Sequence, residues 1–184
     1  MSKSVLVRYG AISEVSRFVN ASGRPHVRGA EVVVQSHRGV EIGTLLEDAP
    51  AESEPTADHQ GDETQADVAR ILRALTDEDR RAGQSHRSDC EEQYAPWQAR
   101  IRQWNLKLEL IDLEWTLDRS KLILYVLNDR GPECTRLALQ AAAAGLGIVE
   151  VQSVGPEGLV PAESGHGCGS GGCGSGGGSN GCCH

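Results

Sequence analysis

The sequence predicts an α+β protein that has a small N-terminal β unit, a helix pair, a ββαβ unit and a flexible tail rich in glycine and cysteine. Three observations support this fold class. Short runs of β-branched residues punctuated by glycine fill residues 5–46. Apolar residues then recur with helical spacing from residue 66 onward. Alternating apolar residues between 106 and 127 precede an alanine-rich helix and a last apolar strand.

Residues 1–46 are expected to form the N-terminal β unit. Its predicted strands cover residues 5–9, 15–19, 31–35 and 40–46. Gly23 and Pro25 mark a loop before the third strand, and Arg38-Gly39 supplies a turn after it. Short strands separated by glycine are typical of a small barrel or a strongly twisted sheet.

Residues 47–65 are expected to form an acidic linker, because they contain seven acidic side chains and no basic one. The whole chain has a net charge of −8, whereas residues 1–46 carry six basic and three acidic side chains. An acidic protein is a poor candidate for strong nucleic-acid binding. The basic first part still allows a weak RNA contact through Arg17, Arg24, Arg28 and Arg38.

Residues 66–154 are expected to form a helix pair followed by the ββαβ unit. The first helix is predicted over residues 66–75 from a stripe formed by Val68, Ile71, Leu72 and Leu75. Thr76 is a predicted N-cap for the second helix, which Pro96 should kink or restart. The apolar stripe of that helix consists of Cys90, Tyr94, Trp97, Ile101 and Trp104.

The ββαβ unit begins with a strand over 106–117, whose alternation changes phase as a β-bulge would cause. A return strand over 121–127 follows, then a helix that begins at Pro132, and a last strand over 148–154. Asp112 and Glu114 alternate with apolar residues and are predicted to face solvent. Trp97, Trp104 and Trp115 are expected to pack in the core rather than stack on nucleic acid.

Four separated blocks of the chain resemble the polymerase-suppressor-protein (PSP) C-terminal domain family, which includes the bacterial RicT-like (YaaT-like) proteins. The first block is Gly-Ala-Glu-Val-Val-Val-Gln-Ser-His-Arg-Gly-Val-Glu-Ile-Gly-Thr-Leu, residues 29–45. The other three blocks are residues 71–79, 108–118 and 120–126. They occur in the family's order, and the resemblance extends over residues 5–154.

This resemblance implies a regulatory scaffold rather than an enzyme. Proteins of the family act in multi-protein complexes that influence RNA processing and developmental decisions, and some bind iron–sulfur clusters through C-terminal cysteines. The family's cysteine-rich continuation is absent here, because residues 154–159 contain no cysteine. The glycine- and cysteine-rich tail over 155–184 is interpreted as its replacement.

Arg38 and Glu41 lie in the block most similar to the family, and two interpretations of them are open. In one, they form a recognition turn that contacts a partner or an anionic ligand. In the other, which we favour, Gly39 enables a tight hairpin and the two side chains are exposed cross-strand charges.

The last twenty residues contain four of the six cysteines, two of the six histidines and ten of the 22 glycines. A segment that is half glycine cannot build a core, so its thiols are not expected to serve packing. They either bind Zn²⁺ or an iron–sulfur cluster, or form an exposed tail whose thiols respond to redox state. The candidate ligands are His166, Cys168, Cys173, Cys182, Cys183 and His184.

We expect a non-catalytic regulatory or adaptor protein, located in the cytoplasm and without a membrane span. Its expected partners are other proteins, such as a ribonuclease-associated complex. The sequence contains no nucleophile elbow, phosphate-binding loop or HExxH motif. One alternative is a metal-handling protein that uses the tail. A second alternative is a weak RNA-binding module.

Overall fold

The computed structural model describes residues 3–20, 27–48, 69–128, 131–156 and 158–160. These residues form a closed five-stranded β-barrel and a four-stranded sheet accompanied by two helices. The predicted α+β class is confirmed, and so is the barrel-like form of the N-terminal β unit.

The barrel consists of strands β1 to β5, paired in the order β1-β2-β5-β3-β4 with β4 closing onto β1. Two antiparallel hairpins, β1–β2 and β3–β4, provide four of the strands. The fifth strand pairs in parallel with β2 and antiparallel with β3. The strands are β1 (Lys3–Tyr9), β2 (Glu14–Asn20), β3 (Glu31–Gln35), β4 (Val40–Asp48) and β5 (Arg70–Ala74).

Strand β5 corrects the prediction of a helix over residues 66–75 as far as the structure describes them, from residue 69 onward, and these described residues form no helix pair with α1. Ile71 points into the barrel, whereas Leu72 is exposed. The apolar spacing fitted a helix, but the free edges of β2 and β3 offer backbone hydrogen bonds that close the barrel. This long-range pairing outweighs the local pattern.

The barrel interior is a small apolar core. The rings of Tyr9 and Phe18 meet edge to face, with their centroids 5.3 Å apart. Gly43 lies where a Cβ atom would come within 2.4 Å of Val7 Cγ1, so only glycine fits at this close approach. The buried residues of this core are Val5, Val7, Tyr9, Phe18, Val32, Val34, Leu45 and Ile71.

Helix α1 (Asp77–Gln103) begins as predicted, with Thr76 as its N-cap. The backbone of Asp79 donates to the Thr76 hydroxyl, and the Asp79 carboxylate accepts from the backbone of Thr76, which completes a capping box. The helix continues through Pro96, so the predicted restart is wrong. Pro96 is exposed, and the buried side chains of Trp97 and Ile101 hold the following turns against the core.

The second sheet has the strand order β6-β7-β8-β9. Its elements are β6 (Glu109–Trp115), β7 (Leu122–Leu127), helix α2 (Pro132–Ala143), β8 (Val149–Gly155) and β9 (Gly158–Leu159). The predicted bulge is confirmed, because the register of β6 against β7 shifts between Leu110 and Asp112. The short strand β9 is an addition that the sequence did not predict.

Both helices and the second sheet enclose a second apolar core. Trp97 is buried in it and Trp104 and Trp115 pack against it, which confirms their predicted structural role. Cys90 and Cys134 are also buried there as free thiols. Neither helix in the described part of the chain combines the length and the apolar character needed to cross a membrane.

Candidate functional site

The barrel and the second sheet meet at the turn between β3 and β4. We call the barrel the first unit, and the second sheet with α1 and α2 the second unit. The Arg38 side chain on this turn has no exposed surface. Next to it, the backbone of Leu117 donates to the Val40 carbonyl at 2.7 Å, which joins the two units directly. A Cβ atom on Gly39 would stand 3.0 Å from the Thr116 side chain, so the turn is pressed against the second unit.

The guanidinium of Arg38 contacts residues of both units. Nη2 lies 2.8 Å from Oε1 of Glu41 in an ion pair whose angle departs from that of a hydrogen bond. Nη1 donates to the hydroxyl of Tyr125 on β7 at 2.8 Å. The guanidinium carbon also stands 4.9 Å from the centre of the Tyr9 ring on β1, a cation–π geometry.

Tyr125 and Glu114 of the second unit continue the hydrogen-bond chain that begins at Arg38. The Tyr125 hydroxyl, itself buried, donates to Oε2 of Glu114 at 2.5 Å. The same carboxylate oxygen accepts from the backbone of Ala11, in the β1–β2 turn, at 2.9 Å. Hydrogen bonds therefore run from barrel to sheet and back to barrel, and we call Arg38, Glu41, Tyr125 and Glu114 the joint cluster.

Ser36 shapes the turn that presents Arg38. Its hydroxyl oxygen accepts from the backbone of Arg38 at 3.0 Å, and the hydroxyl donates to Oε2 of Glu41. The backbone of Ser36 donates to the Gly39 carbonyl at 2.9 Å. Gly39 has φ of +142°, a conformation that favours glycine. The local sequence thus orients Arg38 and Glu41 inward together.

The joint cluster is electrostatically strained by its burial. Burial raises the pKa of Glu41 to about 7, although the nearby Arg38 and the Ser36 hydroxyl act in the opposite direction. Burial is the largest single influence on Arg38 and disfavours its charge, but Glu41, Tyr125 and Glu114, together with Tyr9, outweigh burial, so the pKa of Arg38 is raised. Burial and the Glu114 charge raise the pKa of Tyr125, which keeps its hydroxyl protonated as a donor.

A cleft of about 410 Å³ lies beside the joint cluster, between the barrel, α1 and β6. Burial raises the pKa of the Cys90 thiol in its lining to about 11, so this sulfur is protonated and a weak nucleophile at neutral pH. Burial also lowers the pKa of His86, which keeps that imidazole neutral. His86 Nδ1 and Trp115 Nε1 are buried here without a hydrogen-bond partner among the described residues. The cleft can therefore accommodate small polar groups.

The structure corrects two predictions about charged side chains. Arg38 and Glu41 are not exposed cross-strand charges but form an internal ion pair, since Arg38 is 1% and Glu41 is 3% exposed. Asp112 and Glu114 do not simply face solvent either. Asp112 pairs with Arg87 on α1 at 3.0 Å, and Glu114 belongs to the joint cluster.

The predicted metal ligands lie outside the described residues. They are His166, Cys168, Cys173, Cys182, Cys183 and His184. Within the part of the chain that the structure describes, no three His, Cys, Asp or Glu residues are grouped so that they could hold a metal ion.

Sequence reasoning missed Tyr125 and assigned Glu114 wrongly. Tyr125 stands in an apolar run, where its hydroxyl carries no pattern that announces a polar partner. One signal was available, because a buried tyrosine hydroxyl requires a hydrogen-bond partner. Its partner on the β3–β4 turn is Arg38. Because this contact forms only when the two units dock, the spacing of residues in the sequence does not predict it.

One known family model matches a part of the chain that runs from β5 of the barrel to the end of the loop before α2. The family model described as the PSP1 C-terminal conserved region matches residues 69–131. Residues 69–131 therefore match this conserved region, which confirms the predicted resemblance over that part of the chain. The match contains three of the four similar blocks, whereas the block over 29–45 lies outside it. No curated protein and no solved structure shows a significant match to the chain.

We predict that the substitution Arg38→Met lowers the free energy of unfolding by about 3–5 kcal/mol, because it leaves Glu41 buried without a counter-charge. Urea denaturation at about pH 8 measures the loss. Folding raises the pKa of the Glu41 carboxyl, so the folded protein is stabilised as the pH falls through that pKa and the carboxylate is neutralised. The loss of stability caused by R38M should therefore be smaller at about pH 6. The double variant R38M/E41Q should be more stable than R38M at about pH 8. A loss below about 1 kcal/mol would contradict the central role of Arg38.

Two glycines with similar φ angles provide a matched test of how closely Arg38 is packed. Gly10 has φ of +80° and Gly29 has φ of +85°. A Cβ on Gly10 would lie 2.4 Å from Arg38 Nη2, whereas a Cβ on Gly29 has no heavy atom within 4 Å. We expect G29A to cost about 1–2 kcal/mol from backbone strain and G10A about 1–3 kcal/mol more from overpacking, measured by urea denaturation. Equal losses would show that Arg38 moves aside freely.

Proposed function

We propose that the protein is a non-catalytic regulatory or adaptor protein of the RicT-like kind, which acts through protein–protein contacts in RNA processing or developmental control. The PSP1 match supports the regulatory class. The adaptor role rests mainly on one surface feature, the outer face of helix α2 and the chain that follows it.

The outer side of α2 is unusually poor in charge for an exposed helix. Residues 137–149 contain no charged side chain. Within this stretch Leu139 is 64% exposed and Ile148 is 66% exposed. Surface helices normally place charged or polar residues on their outer side, so exposed apolar residues on an uncharged stretch are typical of a contact surface for another protein.

The joint cluster supports a structural rather than a chemical role for the buried ionisable groups. Glu114 Oε2 accepts from both Tyr125 and Ala11, and Arg38 is engaged with Glu41 and Tyr125. A general base or nucleophile needs a lone pair that can reach a substrate. In the joint cluster the polar atoms are instead directed at one another across the two units.

An affinity-capture experiment in an extract of the source organism tests the adaptor role. The tagged full chain should recover ribonuclease-associated proteins, identified by mass spectrometry, and the double substitution L139E/I148E should abolish their recovery because it places charge in an apolar contact. The matched control is Val15→Glu, since Val15 is 51% exposed on the barrel and lies in the other unit. Recovery that is the same for L139E/I148E and wild type would exclude this surface. Failure to recover any ribonuclease-associated protein would contradict the proposed process.

We also propose that the C-terminal cysteines bind Zn²⁺ or an iron–sulfur cluster that modulates the adaptor. The donor set supports this, because thiolate and imidazole are the ligands that Zn²⁺ prefers and thiolates hold iron–sulfur clusters. The candidate ligands are Cys168, Cys173, Cys182 and Cys183 together with His166 and His184. A metal-handling function is the alternative use of the same residues.

Metal analysis of anaerobically purified protein checks this proposal. The full chain should contain about one equivalent of zinc, or iron with labile sulfide, and a variant with the four tail cysteines changed to serine should lose it. The matched control is the variant C90S/C134S, which removes the two buried thiols and should keep the metal content. The same metal content in the tail variant as in wild type would remove the tail as a site.

A further inference from the structure

The two sides of the second sheet differ in how their edges are covered. Strand β6 lies at one edge, whereas at the other edge β9 pairs only with the last two residues of β8. The outward edge of a strand carries N–H and C=O groups that need hydrogen-bond partners. Whether these groups have partners decides whether an edge can accept another strand.

The edge of β6 is sealed by side chains and by the barrel. The backbone of Leu113 donates to the side chain of the preceding aspartate at 2.8 Å. The backbone of Trp115 donates to the sulfur of Cys90 on α1. Just beyond the strand, the backbone of Leu117 donates to the Val40 carbonyl of the barrel. Another strand cannot pair here, because these outward N–H groups are already engaged.

On β8 the backbone groups alternate in direction along the strand. The Ile148 carbonyl, immediately before β8, accepts from the backbone of Leu122 on β7 at 3.0 Å. Every second residue after Ile148 directs its N–H and C=O groups toward β7 in the same way. Val149 and Val151 therefore direct their N–H and C=O groups away from β7, toward the free edge.

These outward groups of β8 are open. Further along the same side, the Ser153 carbonyl accepts from the backbone of Val160 at 2.9 Å, which ends the contact with the β9 segment. Val149 and Val151 lie before this contact, and no residue in the described ranges hydrogen-bonds to their backbone on this side. Each offers one donor and one acceptor to an added strand. We call the outward side of Val149–Gln152 the β8 edge.

The two faces of the sheet beside the β8 edge favour different side chains in an added strand. Val149 and Val151 are partly buried and pack against the second apolar core. On the opposite face, Glu150 pairs with Lys121 at 2.6 Å and accepts from the side chain of Gln152. Cross-strand neighbours share a face of the sheet. An added strand would thus place apolar side chains beside the valines and polar ones beside Glu150.

We propose that the β8 edge binds an extended, basic segment of a partner protein, which adds to the sheet as a strand antiparallel to β8. An extended backbone matches a row of alternating donors and acceptors, as in other cases of strand addition. The antiparallel direction is that of β9 on the same side, and its hydrogen bonds are slightly more stable than parallel ones. Residues 131–160 contain three acidic side chains and one basic one, which favours lysine or arginine at the polar positions.

This inference rests on the proposed adaptor role only in taking the segment from a partner protein. The site is a backbone edge, and it differs from the outer side of α2 that carries Leu139.

Fluorescence anisotropy of a labelled, capped peptide, Val-Lys-Val-Lys-Val, titrated with the full chain tests the proposal. In an antiparallel pair, the peptide residues that bond to β8 have their side chains on the face of Val149 and Val151, so they are the peptide's valines. N-methylation of these valines removes their donors and should weaken binding by about tenfold or more. N-methylation of the lysines, whose N–H groups point away from β8, should leave the affinity within about twofold of the parent peptide.

The variant Val151→Pro removes an outward donor without removing a hydrogen bond to β7, and it should bind the peptide several-fold more weakly. The matched control is V151T, which keeps the N–H group and the β-branched shape and should bind like wild type. Amide hydrogen exchange of wild type, followed by NMR, keeps the test independent of how well V151P folds. Without peptide, the amides of Val149 and Val151 should exchange faster than those of Leu113 and Trp115, and saturating peptide should slow them by about tenfold or more.

Four results would overturn the proposal. Wild type that binds no peptide, or that binds both N-methylated peptides like the parent, would exclude strand addition. Loss of binding only with N-methylated lysines would exclude the antiparallel direction. Equal binding of Val-Glu-Val-Glu-Val would exclude a basic segment. Slow exchange of Val149 and Val151 without peptide would show that the edge is already covered, by a second copy if V151P also converts a dimer to a monomer in sedimentation. The peptide assay contains no ribonuclease-associated protein, so its failure is distinct from failure of the capture experiment.

Discussion

The guanidinium of Arg38 lies without solvent between the barrel and the second sheet, where an unpaired charge would cost several kcal/mol. Its burial is tolerable only while Glu41 neutralises it and Tyr125 accepts its hydrogen bond. The first of these residues belongs to the barrel and the second to the sheet. Any separation of the two units would expose or orphan these groups together. The relative position of barrel and sheet therefore depends on this one buried charge.

Because of this constraint, the conserved region depends structurally on residues that lie outside its sequence match. Residues 69–131 supply Tyr125 and Glu114, which receive the barrel, and they also supply β5, which completes it. Arg38 lies in a block that resembles the same family but falls outside the match. The match thus covers one side of a joint whose other side is the β3–β4 turn.

Much of the fold was predictable from local pattern. The strands β1 to β4, the N-cap at Thr76, the bulge in β6 and the ββαβ order all follow from spacing, turn residues and capping chemistry. The region of β5 was predicted wrongly, since its five residues gain their hydrogen bonds from strands far away in sequence. The predicted restart of the helix at Pro96 was also wrong, because packing of the adjoining turns compensates for one missing N–H group.

By itself, the sequence determined the fold class, the order of most elements and the resemblance to the PSP1 conserved region, because these depend on contacts between near neighbours and on residue type. The tertiary structure alone decided which charges are buried and which are displayed. Arg38 and Arg70 are chemically identical, yet one is enclosed in the joint cluster and the other lies on the barrel surface. The physical reason is that solvent exposure and electrostatic partnership depend on segments distant in the chain, which only the closed barrel and its docking bring together.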